Sequence, residues 1–548
     1  MVLPRVFSPA PDKPICGPQM AVSQQLGLWM PSAPACTTAG FRQRCASSTD
    51  RPSRVLFAAV VLLATVAAPA LARDALMFSA RENIRSTLVS RIRAERVRLD
   101  IAVWYLTDRA VTQAIVDSHR AGVTVRVIGD RVSIFENDGN TRREFEYLAS
   151  HGVHIRVRYH PTWFPQAMHW KAAIFAGLNL VEFGSANFTV FELAPWSTTD
   201  YNDEVAYFTR DQALVNAFKT QFDRFWTDTT VFMDFADAYR RETGTEFPVQ
   251  PVIDRARLEP DWPLPASMVW SQGPDLRRRL VAEIGRERQA IDVVAFRLTD
   301  AEITRALIER HRAGVRVRVI VEPTEYLNRR YPEYEMTHAR LDQLWAAGIP
   351  IRQRAHAGLT HMKTLITSRV ALIASSNFTN NWQRDHNYFL PQSTKPTLHR
   401  EMRSRFAAMW SATTSVDGNP PAFRRFRPGR PGAATLVGPV QGARDVSLTP
   451  TLTWKRAPWA VMYYVYVGTS PTSLRYVGWV AAAVRENPPA TYSFSPSQPL
   501  PAGRTLYWRV VSRTYATKID SRLVAGSSIW SFTTTSDTAE TTSTASTQ

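Results

Sequence analysis

An internal duplication constrains this sequence more strongly than any other feature does. Residues 84–129 (IRSTLVSRIRAERVRLDIAVWYLTDRAVTQAIVDSHRAGVTVRVIG) align with residues 276–321 (LRRRLVAEIGRERQAIDVVAFRLTDAEITRALIERHRAGVRVRVIV) at a constant offset of 192 positions. Such a repeat predicts two copies of one structural unit, packed side by side with pseudo-two-fold symmetry.

Within each copy, predicted helices alternate with predicted strands. The first helix has apolar residues at three- and four-residue spacing, and Val- and Ile-rich segments follow it. The predicted helices cover 84–94 and 276–286, and the predicted strands cover 99–105, 123–128, 291–296 and 315–321. The alternation predicts an α/β fold of two pseudo-symmetric lobes with largely parallel sheets. Ligand sites in such folds lie beyond the strand ends.

The second helix of each copy is bounded by capping residues. Thr107 and Thr299 stand where a helix N-cap is expected. Gly122 and Gly314 stand where a helix C-terminus favours a left-handed residue. These four positions predict helices of similar length in the two copies, each followed by another buried strand.

Two His-x-Lys motifs occupy equivalent places in the duplication. The offset of 192 carries His169 onto His361 and Lys171 onto Lys363. A Ser-x-Asn-Phe-Thr block follows each motif, with the polar residues Ser185, Asn187, Ser375 and Asn377. Residues two apart on a strand face the same side, so each histidine is predicted to share a cavity with its lysine. A single His-x-Lys occurs readily by chance, but this matched pair predicts one composite site.

These side chains suit the chemistry of a phosphate diester. One imidazole can attack phosphorus to give a covalent intermediate, and a second, protonated imidazole can donate to the leaving oxygen and later activate water. Two lysines and two asparagines would surround the phosphate oxygens, where negative charge is spread. Because the lysines supply the positive charge, we predict neither a metal nor another cofactor.

The paired motifs resemble the signature of the phospholipase D superfamily, HxKx₄D followed by GSxN, twice. The resemblance covers roughly residues 76–412 and implies a two-lobed fold, a site between the lobes and a phosphohistidine intermediate. It also implies that His169 is the nucleophile and His361 the general acid and base, although the residues alone leave the reverse assignment open. The sequence departs from the signature at the motif aspartates, replaced by Ala176 and Ser368, and at the second glycine, replaced by Ala374.

The resemblance further implies an acidic residue after each Ser-x-Asn block that orients a catalytic histidine. Glu204 is the candidate in the first copy and Asp385 in the second. A carboxylate on the far imidazole nitrogen fixes the tautomer and stabilises the cation. The predicted catalytic residues are His169, Lys171, Asn187, Glu204, His361, Lys363, Asn377 and Asp385. The residues predicted to bind the substrate phosphate are Lys171, Ser185, Asn187, Lys363, Ser375 and Asn377.

The two lobes are predicted over residues 76–245 and 264–412, and other segments follow them. Residues 413–434 are rich in Pro, Gly and Arg and are predicted to be a linker. Residues 435–534 contain short alternating strands and resemble a fibronectin type III or Ig-like β-sandwich. Residues 535–548 are polar and low in complexity, which predicts a disordered tail.

The N-terminal region predicts export to a secreted or periplasmic location. Residues 54–72 combine a positive start, an apolar run and a small-residue end, which predicts a signal peptide cut after Ala72. A transmembrane anchor is the alternative. Residues 1–53 show no helical or strand period and are predicted to be an unstructured extension or a start-site artefact. All three cysteines lie before residue 54, so no disulfide, cysteine zinc site or thiolate nucleophile is expected downstream.

A formal net charge of +18 favours anionic partners. The first hypothesis for the function is a phospholipase D that hydrolyses headgroup esters at a membrane surface, because many aromatic and apolar residues lie near the first motif in the sequence. Those residues are Trp163, Phe164, Trp170, Phe191, Leu193 and Trp196. The alternatives are a metal-independent endonuclease that stacks the same aromatics on bases, and a degenerate binding protein without activity. Both motifs lie in one chain, so a monomer is predicted to suffice.

Overall fold

The computed structural model describes residues 74–137, 139–159, 167–249, 251–270, 275–328, 332–379, 386–414, 421–485 and 487–536. The predicted signal peptide, the extension before it and most of the predicted tail lie outside these residues, so those predictions stay open. In the described part of the chain, every helix is too short or too polar to cross a membrane.

The first lobe begins at residue 74. Its strands are β1 (Ala75–Phe78), β2 (Arg98–Val103), β3 (Thr124–Asp130), β4 (His154–Arg158), β5 (Lys171–Phe175), β6 (Leu180–Gly184), β7 (Val205–Thr209) and β8 (Phe232–Asp234). Its helices are α1 (Ile84–Ala94), α2 (Arg109–Arg120), α3 (Asn140–Ser150), α4 (Val190–Leu193), α5 (Gln212–Thr227) and α6 (Phe235–Thr243), with a π-helical segment at Val132–Glu136. Over the described residues the strands form one sheet, in the order β1-β7-β6-β5-β2-β3-β4-β8.

The second lobe repeats this plan. Its strands are β9 (Met268–Trp270), β10 (Ala290–Ala295), β11 (Arg316–Val321), β12 (Ile351–Arg354), β13 (Lys363–Ile366), β14 (Val370–Ala374), β15 (His386–Pro391) and β16 (Phe423–Arg425). Its helices are α7 (Asp275–Arg286), α8 (Ala301–Arg312), α9 (Pro323–Leu327), α10 (Pro332–Ala346) and α11 (Pro396–Ser411). The sheet order is β16-β12-β11-β10-β13-β14-β15-β9. Read from β9 to β16, this order matches that of the first lobe strand for strand. The predicted α/β fold of two pseudo-symmetric lobes is confirmed.

The prediction of largely parallel sheets needs a correction, because both sheets are mixed. In the first lobe β2–β3 and β3–β4 are parallel, as are β10–β11 and β11–β12 in the second. The neighbouring pairs β2–β5, β5–β6 and β6–β7, with their counterparts, are antiparallel. Helices α2 and α3 connect the parallel strands β2, β3 and β4, whereas a short turn joins β5 to β6 and therefore reverses the chain.

The N-caps of α2 and α8 also differ from the prediction by one residue. Asp108 and Asp300, rather than Thr107 and Thr299, cap these helices. Each aspartate accepts hydrogen bonds from the second and third backbone amides of its helix, at 2.8 to 3.4 Å. A carboxylate is favoured here because it satisfies two amides that lack helical partners and it faces the positive end of the helix dipole.

The two sheets face one another across a shared hydrophobic core. Trp170 of the first lobe stacks on Trp270 of the second with ring centroids 5.0 Å apart. Tyr207 stacks on Tyr388 in the same way at 5.7 Å. Separate clusters fill the space between each sheet and its own helices. Each sheet is therefore buried on both faces, and the strand ends of the two lobes are held beside each other.

An all-β region follows the lobes. Its strands are β17 (Thr435–Gly438), β18 (Ala443–Val446), β19 (Leu452–Lys455), β20 (Met462–Gly468), β21 (Arg475–Ala481), β22 (Thr491–Phe494), β23 (Thr505–Arg513), β24 (Val524–Gly526) and β25 (Trp530–Thr534), with a 3₁₀ turn at Tyr515–Lys518. They form two sheets, β17-β19-β22 and β18-β25-β23-β20-β21, with β24 beside β23. Trp454 and Trp508 lie wholly buried in their common core. The predicted all-β region is confirmed, and its resemblance to fibronectin type III stays a prediction.

The sandwich packs against the second lobe. Trp459 stacks on His338 of α10 with ring centroids 4.3 Å apart, and Arg456 pairs with Glu335. Within the segment predicted as a linker, β16 pairs with β12 and so extends the sheet of the second lobe beyond residue 412. The linker is therefore shorter than the composition of residues 413–434 suggests.

Candidate active site

Both His-x-Lys motifs lie where a strand begins beside the interlobe core. His169 precedes β5, which starts at Lys171, and His361 precedes β13, which starts at Lys363. Each lysine Nζ donates a hydrogen bond to the carbonyl oxygen of its own histidine, at 2.8 Å in the first lobe. Both lysines are wholly buried, and both histidines are buried with 8% of their surface exposed. The two motifs thus share one local geometry.

A carboxylate at the end of a parallel strand accepts a hydrogen bond from the residue just before each motif histidine. Asp130 Oδ2, at the end of β3, accepts a hydrogen bond from the backbone N–H of Met168 at 2.7 Å. In the second lobe Glu322 Oε2, just after β11, accepts one from the backbone N–H of Thr360 at 2.9 Å. Burial raises the pKa of Asp130 to about 6. These two acids stand 192 positions apart and were not among the predicted site residues.

The predicted acid of the first lobe meets the histidine of the second. Glu204 Oε1 lies 2.6 Å from His361 Nδ1, and the other carboxylate oxygen of Glu204 accepts a hydrogen bond from Ser185 Oγ. The ring of Phe296 packs edge-on against the His361 imidazole, with centroids 4.6 Å apart. Three predicted residues from two lobes therefore converge at one point.

A second carboxylate lies beside the same imidazole. Glu192 Oε2, on the short helix α4, is 3.5 Å from His361 Nδ1. Glu192 also accepts hydrogen bonds from the backbone N–H of Asn187 at 2.7 Å and from its side-chain Nδ2 at 2.9 and 3.0 Å. Glu192 therefore links the predicted phosphate-binding Asn187 to His361. Glu192 was not among the predicted site residues, because the family signature ends before it.

The charges around His361 favour its protonated form. Burial alone would lower the pKa of His361, but the negative charges of Glu204 and Glu192 outweigh burial and raise it. Burial raises the pKa of Glu204, and the charge of Glu192 adds to that effect. Burial acts in the same direction on Glu192, yet the His361 cation and several hydrogen bonds hold the pKa of Glu192 below its ordinary value. A buried imidazolium stabilised in this way is suited to act as a general acid.

A buried network next to this pair fastens the lobes together. Asp203 Oδ2 lies 3.0 Å from His356 Nε2 and accepts a hydrogen bond from Thr360 Oγ1 at 3.1 Å. Asp203 Oδ1 accepts one from Arg405. The backbone N–H of His361 donates to the carbonyl oxygen of Asp203 at 3.1 Å. The position of His361 thus depends on contacts that cross the lobe interface.

Within the described ranges, fewer contacts surround the second Ser-x-Asn block. Ser375 is wholly buried just after β14, and its backbone N–H donates to the carbonyl oxygen of His386 at 3.3 Å. Asn377 lies two residues further and is partly buried. Asp385 lies outside the described residues, so its predicted role beside a histidine stays a prediction.

Two glutamates bind the turns at which the family signature has its aspartates. Glu95, wholly buried at the end of α1, accepts hydrogen bonds from the backbone N–H of Gly177 at 3.0 and 3.1 Å, next to Ala176. Glu287, at the end of α7, accepts hydrogen bonds from the backbone N–H and the hydroxyl of Ser368 at 2.8 and 2.7 Å. Each lobe therefore keeps a carboxylate at this turn, supplied from the preceding helix.

Among the described residues, one group has the geometry to hold a metal ion. Glu192, Glu204 and His361 offer ligand atoms that all lie within 4.8 Å of one another. Carboxylate and imidazole together suit an ion such as Zn²⁺. The same atoms already form the hydrogen bonds described above, and the expectation of metal-independent chemistry stays a prediction.

The duplicated lobes are similar to a family of known proteins. The family model described as "Cardiolipin synthase, PLD-like domain" matches residues 88–226 and 280–410. A mitochondrial cardiolipin hydrolase of Chlamydomonas reinhardtii is 26% identical to this chain over 145 residues. That match covers 26% of this chain and 60% of the relative, so the chain spans less than two thirds of that protein's length.

Solved structures of low sequence identity also resemble the chain. A phosphatidylserine synthase from Haemophilus influenzae is 12% identical, with a TM-score of 0.48 over 65% of this chain and 88% of that one. Nuc from Salmonella typhimurium, a phospholipase D family member, is 18% identical, with a TM-score of 0.24 over 29% of this chain and 98% of that one. The two segments matched by the family model coincide with the two eight-stranded lobes of the described structure. The duplicated lobes are therefore the part of the chain that is similar to the phospholipase D-like domain family.

Proposed function

We propose that this protein is an exported phospholipase D-type hydrolase that cleaves phospholipid headgroup esters through a phosphohistidine on His169. The observation that carries the proposal is the 2.6 Å contact between Glu204 and His361. A two-histidine phosphodiesterase needs its second imidazole charged, oriented and close to the first motif. This contact supports all three requirements, because Glu204 also binds Ser185 of the first Ser-x-Asn block.

The proposed reaction has two steps at phosphorus. In the first, an imidazole nitrogen of His169 attacks phosphorus, the bond from phosphorus to the headgroup oxygen breaks, and protonated His361 gives its proton to that oxygen. In the second, His361 takes a proton from a water molecule, whose oxygen attacks phosphorus and releases His169. The products are the headgroup alcohol and phosphatidic acid.

The lysines and asparagines would stabilise the charge that develops during these steps. Lys171 and Lys363 are wholly buried beside the two histidines, where low polarity strengthens their interaction with phosphate oxygens. Asn187 is held by Glu192, which supports a fixed orientation of its amide. With Asn377 these groups form the proposed phosphate-binding set, so none of the steps requires a metal ion.

An exposed aromatic pair beside the site favours a lipid substrate. Phe191 and Trp196 are 55% and 69% exposed, and their ring centroids lie 5.7 Å apart. Phe191 is adjacent in sequence to Glu192, which contacts His361. Large aromatic side chains exposed together at the edge of a site are suited to contact the interfacial region of a membrane.

A metal-independent endonuclease is the second candidate. The formal net charge of +18 favours this reading, because a nucleic acid backbone attracts positive charge over long distances. The same two-step chemistry would then cleave a phosphodiester of DNA or RNA.

The test compares the two substrates directly. The purified protein is incubated with phosphatidylcholine vesicles and with supercoiled plasmid, each with EDTA, and choline release and plasmid nicking are measured. Choline release without nicking supports the proposal, and nicking without choline release replaces it with the nuclease. Mass spectrometry of rapidly quenched protein should find phosphate on His169, and phosphate on His361 instead would reverse the assigned roles.

Export is a separate part of the proposal. It is supported by the signal-peptide pattern of residues 54–72, which ends at Ala72. N-terminal sequencing of protein recovered from the culture medium or periplasm should begin at Arg73. Recovery only with the cell interior, with residues 54–72 retained, would contradict it.

A further inference from the structure

We propose that the outer face of the larger sandwich sheet binds single-stranded nucleic acid. This aromatic–arginine face comprises Tyr464, Tyr466, Tyr476, Trp479, Arg509 and Arg513, on strands β20, β21 and β23. The face lies outside both phospholipase D-like domains. Its proposed role is a second binding site, and it does not depend on the reaction proposed above.

The aromatic side chains form a nearly continuous platform. Tyr476 packs against Tyr464 and Tyr466, with ring centroids 5.0 and 5.9 Å apart. Trp479 stands directly across the strand pair from Tyr464. Tyr476 and Trp479 remain about half exposed, at 49% and 53%. Large rings that keep this much exposed surface on a regular sheet offer flat surfaces on which other rings can stack.

Positive charge is interleaved with these rings. The guanidinium of Arg513 lies over the ring of Tyr464 at 4.3 Å, and that of Arg509 lies near the ring of Tyr466 at 5.6 Å. Among the described residues, neither arginine forms an ion pair with an acidic side chain. Residues 435–536 contain ten Lys and Arg against three Asp and Glu, so the surrounding surface does not neutralise the face.

The composition of the face discriminates between polymer classes. Strands β20, β21 and β23 contain no Asp, Glu, Asn or Gln. Sugar hydroxyls donate hydrogen bonds as well as accept them, and the side chains of these strands offer them only the weaker acceptors of Tyr, Ser and Thr hydroxyls. Alternating bases and phosphates, in contrast, require rings and cations, which are the groups that the face presents.

The test measures the binding of a fluorescein-labelled 20-mer of thymidylate to the full chain by fluorescence anisotropy. All proteins carry H361N, so that cleavage does not consume the probe. Y476A/W479A removes the exposed rings and R509Q/R513Q removes the charge, while R444A/R504A removes two exposed arginines elsewhere on the sandwich. Circular dichroism verifies that each variant is folded.

We expect Y476A/W479A to weaken binding at least about tenfold, since each base–aromatic stack contributes substantially to affinity. R509Q/R513Q should also weaken binding and should reduce the slope of log affinity against log salt by about 1.4, for two released phosphate contacts. The control should stay within about twofold of its parent. Absence of oligonucleotide binding, unchanged binding by Y476A/W479A, or binding of alginate or anionic vesicles in place of the oligonucleotide would overturn the proposal.

Discussion

Glu204 Oε1 in the first lobe and His361 Nδ1 in the second lie 2.6 Å apart. The contact crosses the interface between the duplicated halves, so the acid and the imidazole that it orients belong to different copies. His361 is also tied to the first lobe through its backbone N–H, which donates to the carbonyl oxygen of Asp203. Substitutions at the interface and within the motifs should therefore affect the same reaction.

Removal of either motif histidine should abolish turnover, while chelation should not. H169N and H361N are each expected to reduce kcat by about 10²-fold to 10⁴-fold or more, because each imidazole performs a step that no neighbour can replace. The measurement is product release with and without EDTA. H151N, at the half-buried histidine that follows α3, serves as the control and should keep normal activity. A motif variant with near-normal kcat would refute the two-histidine mechanism.

Loss of the Glu204 charge should shift the alkaline limb of the pH profile of kcat. Protonated His361 donates the proton, so activity is lost as pH rises through its pKa. The charge of Glu204 raises that pKa against the opposing effect of burial, and E204Q should therefore lose activity at lower pH than the native protein does. We also expect at least about a tenfold drop in kcat at the optimum. E309Q, on the exposed face of α8, provides the matched control, and an unshifted limb in E204Q would contradict the assignment.

Glu192 should contribute to the same titration through a second route. E192Q keeps one acceptor oxygen for Asn187 but loses the charge beside His361, so we expect a smaller shift of the alkaline limb in the same direction. E192A should in addition raise KM, because Asn187 then lacks its carboxylate partner. The E192Q/E204Q double variant should be non-additive in its pH shift, as expected for groups in contact. Strict additivity would contradict this coupling, because it would show that the two carboxylates act on His361 independently.

The exposed pair Phe191 and Trp196 should matter at a membrane surface and not in solution. F191A/W196A is expected to reduce choline release from vesicles at least about tenfold, since the two rings would otherwise contribute interfacial binding. Activity on a short-chain phosphatidylcholine below its critical micelle concentration should change by less than about twofold. W262A, at an exposed tryptophan in the segment that joins the two lobes in sequence, is the control. Equal losses of activity on both substrates would show that the two rings stabilise the fold and do not contact the membrane.

Gly358 should tolerate no side chain, because it lies where the lobes meet. Its φ is +82°, and a Cβ there would lie 2.1 Å from the carbonyl oxygen of Tyr201 in the other lobe. G358A should therefore destabilise the protein by about 2 kcal/mol or more and reduce activity with it. G122A isolates the conformational cost, since Gly122 has φ +87° with open space around it, and should cost about 1 kcal/mol. Equal thermal unfolding midpoints for the two variants would contradict the predicted steric clash at position 358.

Local features of this protein followed from its sequence because they depend on short spacings. Helix α1 spans the residues predicted for it, and α7 differs by one residue at its start. The glycines after α2 and α8 adopt the left-handed conformation expected of them. His169 and Lys171 have the same geometry as their counterparts because a two-residue spacing determines it.

Long-range partners did not follow from the sequence, because nothing in a spacing pattern states which strands become neighbours. Glu204 was predicted to orient a histidine, but its pairing with His361 spans 157 positions and crosses between lobes. Glu192 belongs to a four-residue helix, too short to show any period. The antiparallel half of each sheet was missed for a similar reason, because strand periodicity carries no information on direction.

Glu95 and Glu287 bear on the history of the chain. Both occupy the end of the first helix of their lobe, both support the turn after the motif strand, and both accompany the loss of the same aspartate. The two glutamates stand 192 positions apart, which is the offset of the duplication itself. The simplest account is that this glutamate was already present in the unit that was duplicated, so both lobes inherited the same support for the turn after the motif strand.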